Sequence, residues 1–143
     1  MINPHGPSSN PESETLRHRL GDLRNGLLRL HKALLEAERL TYERIHGRVP
    51  STGQLLQLVR TDPWFAWLHP LSKLVLRIDV MLDEHDQVTT QDARNILVEA
   101  RSLVRPSEHG EGFERHYYEA LQRAPDAVLA HAQVKKLLTM IPA

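Results

Sequence analysis

The sequence contains no cysteine. Disulfides, thiol nucleophiles and cysteine-ligated metals are therefore excluded, and the absence fits a reducing compartment. Aromatic residues are scarce, with two Trp, two Phe and three Tyr in 143 residues. An excess of either charge is also missing, because 18 Lys and Arg balance 18 Asp and Glu. Nucleic-acid binders normally carry a basic excess, so nucleic acid is not an expected partner. No apolar run approaches the roughly 18–20 residues of a membrane span. The first residues have neither the charged start nor the apolar centre of a signal peptide. The expected location is therefore cytoplasmic, with no membrane partner. Catalytic signatures are lacking too: there is no Gly-rich phosphate loop, no Gly-x-Ser-x-Gly and no His-Glu-x-x-His. No catalytic residue and no cofactor is nominated.

What the chain has is helical periodicity. The expected fold class is all-α, a helical bundle with one long N-terminal helix and several shorter ones. Residues 1–10 hold Pro4, Gly6, Pro7 and three small polar residues, and read as a disordered tail. Residues 11–143 read as one helical-bundle domain. Asn10-Pro11-Glu12 is a helix start, with a capping side chain, a proline suited to the first helical position and an acid at the positive helix end. From there Leu16, Leu20, Leu23, Leu27, Leu30, Leu34, Ala37 and Thr41 repeat in alternating steps of four and three, a heptad seam. Leu28, Leu35 and Tyr42 form a second stripe. The first helix is expected from about Pro11 to about His46; Gly21 and Gly26 each cost about 1 kcal/mol inside a helix, so a kink there or a later start is the alternative. Gly47 with Pro50 beyond it predicts the stop near His46.

The remaining punctuation divides the chain further. Ser51-Thr52-Gly53-Gln54 and Thr89-Thr90-Gln91-Asp92 are capping boxes. Asp62-Pro63 restarts the chain, and Pro70 is expected to break or bend it before a helix ending near His85. Pro106 ends the next helix. Residues 107–112 read as a flexible polar connection, and two further helices, one on either side of Ala124, complete the chain.

Nine histidines invite a metal reading. Glu43 and His46 form a Glu-x-x-His, a motif that di-iron bundles use twice. There is no second copy, so the two residues are at most weak metal candidates. Arg17, Arg19, Arg24, Arg29 and Lys32 make a basic stripe, read as the solvated flank of the leucine seam. Three of the seven aromatics fall in Trp64-Phe65-Ala66-Trp67, which reads as a packed corner or a partner anchor, since Trp is enriched in binding hot spots.

Residues 27–35, Leu-Leu-Arg-Leu-His-Lys-Ala-Leu-Leu, followed by Asp62-Pro63-Trp64-Phe65-Ala66-Trp67-Leu68, resemble a group of short, uncharacterised bacterial helical proteins. The resemblance implies an all-helical fold and carries no functional residue.

The functional expectation is a non-enzymatic protein that works through protein–protein contacts, including self-association. A protein partner of unknown identity and a homodimer are both expected possibilities. The later helices look too short to cover the first half of helix one, so Leu16, Leu20, Leu23 and Leu27 are expected to form a dimer seam, with Trp64 and Trp67 as further interaction residues. The alternative is a ligand- or metal-binding bundle that uses interior His and Glu. The directions of His31, His46, His85, His116 and His131 separate the two.

Overall fold

The computed structural model describes residues 11–84 and 86–141. Six α-helices form, and the described residues contain no strand. They are α1 (Pro11–His46), α2 (Thr52–Thr61), α3 (His69–Glu84), α4 (Thr90–Leu103), α5 (Phe113–Arg123) and α6 (Pro125–Thr139), with a 3₁₀ segment, Pro63–Leu68, between α2 and α3. The expected tail, residues 1–10, and His85 lie outside the described residues.

The leucine seam of α1 is the axis of the fold. Leu16, Leu20, Leu23, Leu27, Leu30 and Leu34 are all buried, and each contributes on the order of 2 kcal/mol. The cover comes from the chain itself, which corrects the expected dimer seam. α3 and α6 both run antiparallel to α1. Arg24 forks onto Asp79 of α3 at 2.7 and 3.3 Å, while Arg29 donates to Gln133 of α6 at 3.2 Å. At the N-terminal end Ser13 accepts a hydrogen bond from the Val88 amide at 2.9 Å, and Arg17 donates to the carbonyl of Leu82. Val88, Ala93 and Ile141 join the same buried cluster there. No single later helix is long enough to cover the seam. Instead α3, α4 and α6 surround the first half of α1 together.

α1 runs through both glycines as one helix, so neither begins it late. Gly26 is buried, and a Cβ there would lie 2.7 Å from Leu137 Cδ1 of α6. Its bareness lets two helices approach. Gly21 has open space around it. Gly47 ends α1 at φ +89°, with its amide bonded to the Glu43 carbonyl at 3.0 Å, a conformation that only glycine adopts without strain. Pro70 is the second residue of α3, where a missing amide costs nothing, so the bend falls before it. The connection at residues 107–112 is tied down rather than free: the Ser107 amide donates to the Glu114 carbonyl at 3.1 Å, and the Glu111 amide to its carboxylate at 3.2 Å.

Candidate interaction site

The aromatic corner forms because Asp62 caps the 3₁₀ segment, accepting from the Trp64 amide at 2.8 Å, with Pro63 in the first turn. The tight 3₁₀ turn sends Phe65 and Leu68 into the core and leaves Trp64 and Trp67 half-buried on one side. α1 lies beside them through Glu38, Thr41 and Arg44, at successive helical steps. α5 closes the other side with His116, Glu119 and Arg123. These groups surround an open depression of about 450 Å³.

Glu38 organises its floor. The side chain belongs to a residue only 7% exposed. Its Oε1 accepts from the Trp67 indole at 3.1 Å and from Arg123 Nη2 at 3.3 Å. A buried carboxylate needs such donors, since an unpaired one is strongly destabilising. The result fixes the Trp67 ring. His116 stacks on it, with centroids 5.2 Å apart and planes at 18°, and Phe113 tilts against it at 5.5 Å. Trp64 is held from the opposite side, edge-on to Tyr42 at 5.6 Å and to His46 at 5.5 Å. Its buried indole N–H has no hydrogen-bond acceptor.

Arg44 differs from Arg123. It is exposed at the rim and makes no ion pair among the described residues. A cation without a partner, next to two indole edges, is available to a carboxylate from outside.

Of the residues nominated from sequence, the structure brings Trp64 and Trp67 together on one depression. Leu16, Leu20, Leu23 and Leu27 stand elsewhere, inside the core. Glu43 and His46 do not act as a pair. The Glu43 carboxylate accepts from Arg39 at 2.9 Å and from the Val49 amide at 2.7 Å, tying down the chain after α1. The His46 ring packs on Tyr42 at 4.4 Å. Among the described residues no three His, Asp or Glu side chains converge as metal ligands. His131 hydrogen-bonds through Nδ1 to the buried Tyr117 hydroxyl. Burial, and then the charge of Lys135, hold its pKa below the usual histidine value. Burial raises the Tyr117 hydroxyl. His31 is likewise held low by burial and then by His69. His85 lies outside the described residues.

No family model, curated protein or solved structure matches this chain. Sequence reading missed Glu38, Arg44 and Arg123, and offered His116 only as a possible ligand of a binding bundle, where the structure stacks it on Trp67. Glu38 did leave a signal, because it follows Leu34 by four residues. An acid on the buried side of a seam calls for donors.

Proposed function

We propose that the chain is a non-enzymatic helical protein that acts by binding another protein, anchored at the Trp64–Trp67 corner. The observation that carries this reading is the fixed Trp67 ring, with Glu38 and His116 holding it and the unpaired Arg44 beside it. Trp and Arg dominate the few residues that supply most interface energy. Rings already locked by neighbours lose little freedom on binding, so their contact area converts to affinity efficiently. The matching segment on a partner has a carboxylate for Arg44 next to an apolar side chain that fills the depression.

Photo-crosslinking in the native cell tests this. A crosslinking amino acid replaces Arg44 or His116, or as a control Val98 on α4, which is 64% exposed. A discrete adduct from the corner positions, absent from the control, is the expected outcome. Adducts of the same kind from all three positions, or none from any, overturn the proposal.

A further inference from the structure

A second surface lies along the junction of α1 and α6, on the flank of α1 that faces away from α3. An open groove of about 570 Å³ runs there. Its charges are sorted by sign. Arg29 and Lys32 stand at one end; Glu36 and Asp126 stand at the other. Between them lie Ala33 and Leu129. Leu129 is 70% exposed, more than any other large apolar side chain among the described residues.

Arg29, Lys32 and Asp126 form no ion pair among the described residues. Arg29 reaches only the neutral Gln133. Glu36 bonds to Arg39, which lowers its pKa and keeps it charged. Arg39 is shared with Glu43, and Arg44 and Arg123 line the adjoining cavity with Glu36 and Asp126 but form no ion pair with either acid among the described residues.

The spacing is symmetric. Arg29 and Glu36 are seven residues apart on α1, and Asp126 and Gln133 are seven apart on the antiparallel α6. Each interval is about 10 Å at 1.5 Å per residue. Leu129 and Ala33 stand near the two midpoints. A two-fold axis through the midpoint therefore lays the basic end of one copy on the acidic end of the other. That axis crosses both helices in the plane of contact, so α1 meets α1 and α6 meets α6: Arg29 faces the other copy's Glu36, and the two Leu129 side chains meet each other. Two-fold contacts of this self-complementary kind are the commonest oligomer geometry. The parallel alignment sets like charges together and is disfavoured.

We propose that this α1–α6 face is a self-complementary interface on which a second copy of the chain docks. It does not rest on the Trp64–Trp67 reading: neither indole lines this groove, although Arg44 lines the adjoining cavity with Glu36 and Asp126. Association through this face is expected to be weak and reversible.

Sedimentation equilibrium from about 5 to about 500 µM, a span that brackets a micromolar dissociation constant, provides the test. Wild-type protein is expected to pass reversibly from monomer to dimer, with weaker association in high salt. The double variants Arg29→Glu with Lys32→Glu, and Glu36→Lys with Asp126→Lys, are each expected to weaken self-association by at least about tenfold, or 1.4 kcal/mol. Mixing the two in equal amounts restores a dimer, because the reversed ends then match. Leu129→Glu, at an exposed position, gives a monomer with an unchanged helical spectrum. A wild type that stays monomeric throughout, variants that dimerise like the wild type, or a mixture that stays monomeric overturns the proposal. Crosslinking from His116, which lines the Trp64–Trp67 depression and not this groove, is expected to be the same for monomeric variants and wild type, so the two surfaces are tested separately.

Discussion

Trp67 and Glu38 stand 29 residues apart in the chain and share a hydrogen bond of 3.1 Å, with the indole donating to a carboxylate that is almost fully buried. The same oxygen takes Arg123 of α5. One acid thus joins α1, the 3₁₀ corner and α5.

Glu38→Ala is expected to cost about 2–3 kcal/mol, because it strands a buried indole N–H and removes the carboxylate paired with Arg123. Arg123→Ala is expected to cost less, since its side chain is 35% exposed and water replaces part of what is lost. Urea unfolding of both variants checks the order. Equal losses would show that the Trp67 bond contributes nothing of its own.

The glycines of α1 separate helix propensity from packing. Nothing lies within 4 Å of a Cβ at Gly21, so Gly21→Ala is expected to raise stability by about 0.5–1 kcal/mol. At Gly26 the added methyl meets Leu137, and Gly26→Val is expected to lower stability by about 1–3 kcal/mol through overpacking against α6. Thermal melts of the two variants should move in opposite directions.

This contrast marks what the sequence made legible. Periodicity revealed the buried face of α1, because core positions recur every three or four residues whatever covers them. It also placed the caps at Ser51, Asp62 and Thr89, which are local in sequence and are found at those positions. It did not reveal the cover. Gly26 against Leu137 and Glu38 against Arg123 are long-range pairings, and a glycine that breaks a helix looks the same in sequence as one that admits a neighbour. The corner was half legible: the two Trp residues stood out by rarity, whereas Arg44, His116 and Arg123 are common residues that only the fold gathers.

Two histidines make stability depend on pH. His31 and His131 are both held below the ordinary histidine pKa, through burial first and then the nearby His69 and Lys135 respectively. The folded state therefore resists protonation more than the unfolded state does. Above about pH 6.5 neither state binds the proton, and this stability is fully present. As pH falls below that value the unfolded chain takes up protons first, and stability is lost until the lower, folded-state pKa is passed. The melting temperature is expected to fall between pH 7.5 and pH 5.5, a range chosen to straddle the ordinary histidine pKa. Replacing both residues with Gln should flatten that part of the profile. A profile unchanged by the double variant would assign the pH dependence to other groups.

α2 is the weak point of the packing. It carries Leu55, Leu56, Leu58 and Val59, yet none of its residues is buried, and Leu56 is 53% exposed. Every other helix sends residues into the core. Leu55, Leu58 and Val59 pack against the core only partly buried, and its polar ties are a cap from Ser51 to the Gln54 amide at 3.2 Å and the His69 side chain bonding to the Val59 carbonyl at 3.1 Å. Little apolar area is therefore re-exposed when α2 opens, and local opening free energy follows that area. Amides of α2 are expected to exchange with solvent well before those around Leu23, Leu27 and Leu30 of α1. Substitution should show the same gradient. Leu30→Ala is expected to cost about 3–5 kcal/mol, the range for a buried leucine that leaves a cavity. Leu56→Ala is expected to change stability by less than about 0.5 kcal/mol, as for an exposed site. Hydrogen exchange read by mass spectrometry, together with urea unfolding of the two variants, measures both. If α2 is protected as long as α1, or if Leu56→Ala costs as much as Leu30→Ala, then α2 is part of the cooperative core.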